Sequence, residues 1–499
     1  MLLCTSLCAQ QHDNLWLFGY ESYTNTECFG GSVLDFTTNP VDTFYQYRDM
    51  NFDVTNASIC DTEGNLLFYT NGIYIANALH EPMENGEGLN PGEHADNHQI
   101  YGYILDQGAI ILPKPNSDHL YYLFHADRER PNDSLSWRSA HFYYSLVDMS
   151  QNDGLGRVIE KNEILLNEPL ALGKITTTKH SNGIDWWILI RKYRSNEYYR
   201  FLLTSDGISN LGVQEIGNPF ESGVGQAVFS PNGKKYARYN TVSLTEGDNL
   251  NIYDFDRCTG SLSNPVQTIL IDSAYAGGAA ISPNSRFLYV SSYNYIYQYD
   301  LEADDILATK DTVAIYDGYL EDVGPFFQLP THFSLMQLAP NGKIYVNSPA
   351  SIKVLHVINA PNEQGEACDI AQHSVRLPTY NAFSLPNFPN YRLGPAEGIT
   401  CDSLPTSVEE ETVDPFIFKL FPNPATDEVA LELELPSGYQ GAFRLYNAMG
   451  QTVLRQEVHE FQSSYLISLL DLNPGIYFYE VGGSDKVWKT GKLVIHNRR

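Results

Sequence analysis

The stretch that decides the fold is Phe229-Ser230-Pro231-Asn232-Gly233-Lys234-Lys235-Tyr236, in which two apolar runs flank a Pro-Asn-Gly turn. Proline presets φ, and Asn and Gly tolerate positive φ, so these residues join two antiparallel strands into a β-hairpin. The same pattern recurs in residues 281–290, with Ser285 at the turn, and in residues 338–346, with Gly342 there. We therefore predict that this part of the chain repeats one hairpin unit.

Three weaker copies of the pattern lie upstream, with turns at Gly64, Ser117 and Gly183. The six turn positions are separated by 53, 66, 50, 52 and 57 residues. A propeller blade of four strands repeats at about 40–50 residues, so the spacing predicts blades with somewhat long loops. A third alternating strand follows several of the hairpins, in residues 250–255, 296–300 and 354–358.

The two ends of this region supply further strands. Residues 15–19 and 33–36 read as strands without an inner partner, and residues 382–388 read as an inner strand without a following hairpin. Joining them would close a ring and remove the exposed edges of an open array of sheets. The predicted fold class is all-β: a seven-bladed β-propeller over residues 15–395, with six or eight blades as alternatives, followed by a small immunoglobulin-like β-sandwich.

A compositional change separates the propeller from the C-terminal module. Residues 396–414 are rich in Pro, Gly, Ser and acidic side chains, which predicts a solvated linker. In residues 429–435 apolar and polar residues alternate, the pattern of a half-buried strand. Further short strands in residues 443–446, 452–454, 465–469, 476–481 and 492–495 predict a sandwich over residues 415–499.

The net charge of −29 lies almost wholly upstream of residue 415. From Pro415 onward 8 basic residues face 9 acidic ones, which leaves −28 for the rest of the chain. Such a surface repels phosphate backbones, so we expect no nucleic-acid partner. The sequence has no run of 18 apolar residues, so no transmembrane segment is predicted.

The N-terminal residues 1–10 (MLLCTSLCAQ) are apolar and end in small residues near Ala9, which predicts a secretory signal peptide, truncated because it lacks the basic n-region. Cys4 and Cys8 would leave with it. Five cysteines remain: Cys28, Cys60, Cys258, Cys368 and Cys401. Because five is an odd number, at least one thiol stays unpaired, and the sequence leaves open which cysteines form disulfides. No CxxC pair supports a structural zinc site.

Four short motifs follow one another near the C-terminus: FKLFPNPA at 418–425, LYNAMGQ at 445–451, LNPGIYF at 472–478 and GKLVI at 491–495. In this order they resemble the type A C-terminal sorting domain of the bacterial type IX secretion system. The residues that carry the sorting-signal motif are Pro422, Asn423, Pro424, Asn447, Gly450, Pro474, Gly475, Tyr477 and Lys492.

The resemblance implies export across the inner membrane, folding in the periplasm and recognition by an outer-membrane secretion translocon. It also implies that a sortase cleaves near the linker and attaches the protein to surface lipopolysaccharide. A generic immunoglobulin-like spacer domain is the alternative interpretation of residues 415–499.

The upstream region resembles the secreted, WD-like β-propeller ectodomains of bacteria that use type IX secretion. The resemblance is carried by GNLLFYTNG at 64–72, MENG at 83–86, ILPKP at 111–115, LAPNGKIY at 338–345 and LPNF at 385–388. It implies a fold and an extracellular location, and it implies no particular chemistry.

Several polar and aromatic clusters are candidates for a functional site. His80-Glu81 and the residues EHADNH at 93–98 could ligate a metal, although a Gly- and Asn-rich loop is more often simply solvated. The carboxylates of Asp254, Asp256, Asp304 and Asp305 lack the spacing of a calcium loop and are expected to accept hydrogen bonds in turns. Trp186-Trp187 is expected to pack between blades, with a sugar platform as the alternative.

The predicted function is a secreted cell-surface binding or adhesion protein whose ligand is an extracellular glycan or protein. No catalytic residue and no cofactor is assigned, calcium being left open, because GxSxG, HExxH, Walker A and GxGxxG motifs are missing from the sequence. The alternative is a secreted carbohydrate-active enzyme, a hydrolase or a lyase. Two well-placed carboxylates suffice for glycoside hydrolysis, and no motif reveals such a pair.

Overall fold

A computed structural model describes residues 10–130, 137–220, 223–243, 247–271, 277–324, 327–396, 401, 417–434, 440–447, 451–459, 464–483 and 487–496. The signal-peptide segment 1–9, most of the linker and Gly450 therefore lie outside the described residues. The chain divides into two compact units, Met1–Thr406 and Ser407–Arg499.

The strands of the first unit, in chain order, are β1 (Leu15–Tyr20), β2 (Gly30–Asp35), β3 (Asp42–Gln46), β4 (Ala57–Cys60), β5 (Leu66–Thr70), β6 (Tyr74–Asn77), β7 (Pro82–Glu87), β8 (Ala109–Pro113), β9 (Leu120–Ala126), β10 (Ser139–Asp148), β11 (Arg157–Leu170), β12 (Thr176–Lys179), β13 (Trp186–Arg191), β14 (Glu197–Thr204), β15 (Gly207–Glu215), β16 (Val224–Phe229), β17 (Lys235–Ser243), β18 (Gly247–Asp256), β19 (Ser261–Leu270), β20 (Gly278–Ile281), β21 (Phe287–Ser292), β22 (Tyr295–Asp300), β23 (Asp311–Ile315), β24 (Leu320–Gly324), β25 (Phe327–Pro330), β26 (Met336–Leu338), β27 (Ile344–Val346), β28 (Ile352–Ile358) and β29 (Ile370–Asn381). One short helix, α1 (Glu93–Asn97), and four 3₁₀ turns, Ser22–Thr24, Asn152–Gly154, Leu307–Thr309 and Gly365–Cys368, complete the described elements.

These strands form small antiparallel sheets that follow one another along the chain. β1–β3 form a three-stranded sheet, and β12–β15, β16–β19, β20–β23 and β26–β29 each form a four-stranded one. β4–β7 and β8–β11 are two four-stranded halves of one eight-stranded sheet, joined by a single parallel pair between Glu84 and Arg157. The first strands of most consecutive sheets contact each other, as the pairs β1–β4, β4–β8, β12–β16, β16–β20 and β20–β26 show, and the last strand, β29, contacts β1 and β2. The arrangement is therefore circular.

The six hairpins expected from the sequence are all present, as the pairs β4–β5, β8–β9, β12–β13, β16–β17, β20–β21 and β26–β27. Their turns use the left-handed backbone that the turn residues allow, for example at Gly233 (φ 70°) and Ser285 (φ 66°). In the second of these hairpins Asn116, and not Ser117, takes the positive φ of 59°. Local turn chemistry thus sets where these strands begin and end.

Residues 382–388 differ from the expectation, because the structure assigns no strand to them. Instead the chain leaves β29 and passes through the middle of the circle of sheets as residues 382–396, which we call the central segment. Phe383 N donates to Asp53 O at 3.1 Å, and Asn387 N donates to Asn56 O at 3.0 Å. The first sheet consequently keeps three strands. A second difference is the hairpin β24–β25, which the sequence analysis did not predict.

Side-chain amides connect this central segment to the first strands of the sheets. Asn387 Nδ2 donates to the carbonyls of Ala109 and Ile175, each at 3.0 Å, and its Oδ1 accepts from Gln107. Gln107 also bonds both backbone groups of Ala227. All of these groups are buried, where an unpaired amide or carbonyl is costly, so the set of bonds fixes the segment in place.

A third amide, Gln226, links three adjacent sheets in the same way. Its Nε2 donates to Met336 O at 3.0 Å, and its Oε1 accepts from the amides of Ala279 (3.0 Å) and Met336 (2.8 Å). On the other side of the centre, Asn56 Nδ2 donates to Leu17 O at 2.7 Å and to Ser384 Oγ at 2.9 Å. The middle of the unit is therefore a filled, hydrogen-bonded core.

A disulfide joins Cys258 to Cys401, 143 residues apart, and so ties the chain that follows the central segment back to the sheets. Just before it, Arg257 donates to Gly394 O at 2.6 Å, and Ala396 N donates to Ser181 O at 2.8 Å. Three of the described cysteines remain as thiols: Cys28, Cys60 and Cys368. The expectation that at least one thiol stays unpaired is confirmed.

The second unit contains β30 (Ile417–Phe421), β31 (Glu428–Glu434), β32 (Gln440–Tyr446), β33 (Thr452–His459), β34 (Ser464–Ser468), β35 (Gly475–Gly482) and β36 (Val487–Ile495). They form two sheets, with orders β30-β31-β34 and β33-β32-β35-β36. Alternating residues of both sheets share one apolar core, in which Val429, Leu431, Phe443 and Leu493 are at most 2 % exposed. The strands predicted for this unit are therefore present.

The double variant Cys258→Ser/Cys401→Ser should unfold more easily, because the bond restricts a long loop of the unfolded first unit. We expect a loss of about 2–4 kcal/mol, measured by chemical denaturation of the full chain. As a control, a reducing agent should destabilise the wild type to the same level and leave the double variant unchanged. Equal stability of both proteins under oxidising conditions would contradict the assignment of this disulfide.

Candidate functional site

The Pro-Asn-Pro segment of the sorting-signal motif lies beside the last strand of the second unit. Asn423 Nδ2 donates to Lys492 O at 2.7 Å, and Asn423 Oδ1 accepts from Val494 N at 3.0 Å. Two backbone bonds continue this pairing, from Ala425 N to Val494 O and from His496 N to Ala425 O, both 2.8 Å. The first and last of the four sorting-domain motifs are thus joined by hydrogen bonds into one structural feature.

Residues of each of the other two motifs bond to each other over a short span of chain. Asn447 N donates to Gln451 O, Asn447 Nδ2 donates to Gln451 Oε1, and Gln451 N donates to Asn447 Oδ1, each at 3.0 Å. Tyr477 donates its hydroxyl to Asn473 O at 2.8 Å across the turn that contains Pro474 and Gly475. The described motif residues therefore brace turns and strand ends, and most of them face solvent.

In the first unit, a cavity of about 280 Å³ opens where the first strands of the sheets begin. Its wall includes Asp106, Lys174 and Gly277, each of which lies shortly before a first strand, together with Val224 at the start of β16. Val224 and Phe383 of the central segment also line it, and their exposure of 42 % and 48 % marks its open side. We call this space the Lys174 cavity.

Lys174 is the most buried charged group of the cavity, at 1 % exposure. Its Nζ donates to the carbonyl oxygens of Leu172, at 3.3 Å, and Gly223. Burial lowers the pKa of Lys174 well below its usual value, and the positive charges of Arg238 and Arg191 act in the same direction while Asp106 opposes them.

Asp106 is the counterpart of Lys174 across the cavity. Burial raises the pKa of Asp106, while the nearby Lys174, a hydrogen bond from Gly225 and Arg128 oppose the rise. The bond from Gly225 N to Asp106 Oδ2 is 3.1 Å long. At the backbone, Lys174 N donates to Asp106 O at 3.2 Å, so the loops that carry the two charged groups are held together.

Arg128 forms the third charged part of the wall. Its backbone N–H donates to the Tyr103 hydroxyl at 2.7 Å, its Nη1 donates to Ile104 O at 2.5 Å, and its guanidinium lies 4.4 Å from the centre of the Trp137 ring. Behind this arginine, the ring of His94 meets Tyr103 edge-on, with centroids 4.7 Å apart. Burial, followed by the charges of His98 and Arg128, lowers the pKa of His94 to about 4.

A second cavity, of about 220 Å³, lies where the same first strands end. Its wall includes the hairpin residues Ser230 and Pro231 and the central-segment residue Arg392. Arg392 pairs with the buried carboxylate of Asp13 at 2.6 Å. Because this ion pair joins the beginning of the unit to its end, we assign it a structural role.

The remaining sequence candidates take structural positions. His94 and His98 stack on each other, His80 bonds Tyr69 instead, and no group of three or more His, Cys, Asp or Glu in the described part of the chain could hold a metal. Asp254 pairs with Lys235 at 2.5 Å. The adjacent tryptophans, Trp186 and Trp187, are at most 1 % exposed and pack between elements, as expected.

Sequence reasoning missed the residues of the Lys174 cavity. Asp106, Arg128 and Lys174 belong to no motif, and 68 residues of chain separate the first from the third. The one available signal was position, since Asp106 and Lys174 each lie in the connection that precedes a predicted first strand. Connections of this kind often carry binding residues on a rigid scaffold.

Comparison with known proteins identifies the second unit. A family model for the secretion system C-terminal sorting domain matches residues 419–496. No curated protein matches the sequence. Among the described residues, no helix is long and apolar enough to cross a membrane.

Several solved structures are similar to the chain at low identity. A protein from Lactobacillus plantarum has 15 % identity, covers 74 % of this chain and 98 % of its own, and has a TM-score of 0.44. Two candidate 6-phosphogluconolactonases are also similar. The one from Bacteroides uniformis has 12 % identity, coverage of 74 % and 98 %, and a TM-score of 0.43. The one from Bacteroides fragilis has 10 % identity, coverage of 75 % and 98 %, and a TM-score of 0.42.

The sorting domain determines where the protein is found. A C-terminal domain of this family engages the type IX secretion machinery, so the chain is exported and attached at the outer cell surface. The Lys174 cavity therefore belongs to a protein displayed at the outer cell surface.

The low pKa of His94 predicts a pH-dependent stability. Between pH 6.5 and pH 4 the unfolded state binds a proton at this histidine and the folded state does not, so stability falls as the pH falls. We expect the wild type to lose about 2 kcal/mol more over this range than His94→Gln, measured by denaturation at several pH values. The buried histidines His125 and His356 lower the stability of both proteins alike. Parallel pH profiles would show that His94 titrates normally.

Proposed function

We propose that residues 15–395 form a surface-displayed binding module whose ligand occupies the Lys174 cavity. The observation that carries the proposal is the combination of a hydrogen-bonded centre with an open cavity at one end that contains three charged side chains, Asp106, Arg128 and Lys174. Ligand sites are commonly concave and mostly apolar, with a few fixed polar groups. Here a rigid ring presents such a site, and the sorting domain places it outside the cell.

We infer that the ring is a seven-bladed β-propeller. The circular order of sheets supports this number, if β1–β3 counts as one blade and each half of the eight-stranded sheet as another. The strand pairing of the second unit likewise supports an immunoglobulin-like sandwich. A ring has few exposed edges, which suits a protein that works without chaperones outside the cell.

For the second unit we propose that the motif residues form the face read by the outer-membrane translocon and sortase. These residues are Pro422, Asn423, Pro424, Asn447, Gly450, Pro474, Gly475, Tyr477 and Lys492. We also propose that residues 396–414 act as a linker near which the sortase cleaves, after a signal peptide in residues 1–10 has directed passage of the inner membrane.

Glycoside hydrolysis, the enzymatic alternative, is less well supported by the cavity. Asp106 is the single carboxylate among the described residues that line it, whereas hydrolysis of a glycosidic bond normally uses two. A binding role requires only the charged and apolar groups that are present. Neither calcium nor another cofactor is needed for this role.

Export can be tested through Asn423, whose side chain links the Pro-Asn-Pro turn to β36. Asn423→Leu removes both of its hydrogen bonds, so we expect surface exposure to fall at least about 3-fold in a host with type IX secretion, measured by protease shaving. A chain that ends at Asp414 should show no surface delivery. Arg455→Gln, at an exposed site, should be delivered like the wild type. Normal delivery of Asn423→Leu would remove Asn423 from the recognised face.

Ligand binding can be tested by blocking the cavity. Val224 lies at its open side, and Val213 is equally exposed (41 %) on β15, away from it. We expect the full chain to bind a component of glycan or extracellular-protein arrays, Val224→Trp to lose that binding at least about 10-fold, and Val213→Trp to keep it. Binding that both variants retain would place the ligand elsewhere. Silence of the wild type on both arrays would contradict the binding function.

A further inference from the structure

The first strands of four neighbouring sheets, β12, β16, β20 and β26, direct backbone groups to the middle of the ring. In an antiparallel pair only every second residue bonds to the partner strand, and the residues between them direct their N–H and C=O groups to the other edge. The bonds that close the hairpins fix this alternation, because the N–H groups that bond to the second strands there are those of His180, Ser230, Ser282 and Ala339. The residues that face the middle are therefore the odd-numbered ones in β12, β16 and β20 and the even-numbered ones in β26.

One layer of these inward groups is satisfied by amide side chains. Gln107 bonds both backbone groups of Ala227 in β16. Gln226 bonds the N–H groups of Ala279 in β20 and Met336 in β26. At this level the centre of the ring is thus filled by protein.

The next layer, two residues further along each strand, has no amide partner of this kind. It consists of Thr177, Phe229, Ile281 and Leu338, all of which line the second cavity. Gln337 Nε2 donates to Leu338 O at 3.1 Å, and no other hydrogen bond among the described residues reaches the inward N–H or C=O groups of this layer. Four N–H groups and, without that of Leu338, three C=O groups therefore face one cavity.

The second cavity is small, buried and without a free charge. Thr177 and Ile281 are each 2 % exposed, and buried backbone groups are costly unless they are hydrogen-bonded. The volume of about 220 Å³ is below the usual range of ligand sites, which limits the interior to one small molecule. The charged side chains among the described lining residues are those of Asp13 and Arg392, and they pair with each other at 2.6 Å.

Hydroxyl groups match this lining better than charged groups do. A hydroxyl can donate to a C=O group and accept from an N–H group, whereas an ammonium group only donates and a carboxylate only accepts. The lining also has apolar surfaces, which can contact the C–H groups of a ring: Phe388 and the turn prolines Pro231, Pro283 and Pro340. A compact ring with several hydroxyl groups satisfies both parts of the wall.

We propose that the second cavity binds one neutral sugar ring through the inward N–H and C=O groups of four first strands. Such a ring can be a free monosaccharide or the terminal residue of a longer glycan. The second cavity lies at the opposite end of the first strands from the Lys174 cavity and shares no lining residue with it. This site therefore goes beyond the proposed function and does not rest on it.

Matched sugars test the neutral character of the site in the full chain: glucose, galactose and mannose, each compared with its uronic acid and its 2-amino sugar. Titration calorimetry should show at least one neutral sugar binding at least about 10-fold more tightly than both of its charged counterparts, because the cavity offers a buried charge no opposite charge. If none of the three neutral sugars binds, solvent alone serves the inward groups and the proposal is overturned. Preference for a charged sugar overturns it as well.

Hydrogen exchange tests whether the inward backbone groups hold the sugar. With the tightest neutral sugar at saturation, the amides of Thr177, Phe229 and Ile281 should exchange at least about 3-fold more slowly, because each N–H group gains an acceptor. The amides of β15, an outer strand, should exchange as they do without sugar. Binding that leaves the exchange of the three inward amides unchanged would place the sugar elsewhere and overturn the proposal.

Two partly exposed turn prolines, Pro231 and Pro283, allow the cavity to be blocked. Pro231→Trp and Pro283→Trp should each weaken binding of the tightest neutral sugar at least about 10-fold, because an indole ring takes the space of the sugar. Lys234→Trp, in the same turn as Pro231 but outside the lining, is the matched control and should bind like the wild type. Unchanged binding by a folded blocking variant overturns the proposal. If neither blocking variant folds, hydrogen exchange decides.

Two further comparisons separate this site from the Lys174 cavity and identify the source of the sugar. Val224→Trp, which blocks the Lys174 cavity, should bind the sugar like the wild type, and loss of binding in this variant would overturn the proposal. The methyl glycosides of both anomers distinguish the sources. If one of them binds within about 3-fold of the free sugar, the cavity takes the end of a glycan, and if both bind at least about 10-fold more weakly, it takes a free monosaccharide.

Discussion

The structure of the first unit depends on the satisfaction of buried backbone groups at its centre. The first strands of the sheets converge there, and their carbonyl and N–H groups would lack partners if the middle were empty or purely apolar. Amide side chains solve this problem because each offers two donors and an acceptor. Gln226 bonds to the sheets of Ala279 and Met336, and Gln107 bonds the sheet of Ala227 to Asn387. Asn387 in turn bonds Ala109 and Ile175, and Asn56 bonds the first sheet to Ser384 of the central segment. The circle of sheets and the segment within it therefore stabilise each other.

The cavity follows from this arrangement. Because the central segment crosses the middle of the ring, a separate cavity lies at each end of the first strands. One is lined by Asp13 and Arg392, whose ion pair closes the unit. In the other, the loops before the first strands bring Asp106 and Lys174 together in one wall. Connections on a rigid scaffold can change their side chains with little effect on the fold, which is why a binding site is expected there.

Electrostatics distinguishes the interior of this end from the exterior of the protein. The surface is strongly acidic, whereas Lys174, Arg191 and Arg238 place positive charge inside. An acidic exterior keeps an exported protein soluble and repels anionic surfaces, and a buried cation acts only at short range on a ligand that has entered. The two features are therefore compatible. The second unit adds no comparable charge, and its role is delivery and attachment at the cell surface.

The sequence by itself determined the local structure. Turn residues such as Gly233 and Ser285 require a left-handed backbone, and alternating apolar residues require a half-buried strand, so hairpins, third strands and the sorting-domain motifs could be recognised from the order of residues alone. Only the tertiary structure decided the rest. Residues 382–388 have strand-like composition, yet they form no strand, and their backbone hydrogen-bonds to groups at the centre of the ring. Which backbone groups pair depends on the parts of the chain that the fold brings together there. The Cys258–Cys401 bond and the Lys174 cavity join residues far apart in the chain, and no local propensity encodes such a distance.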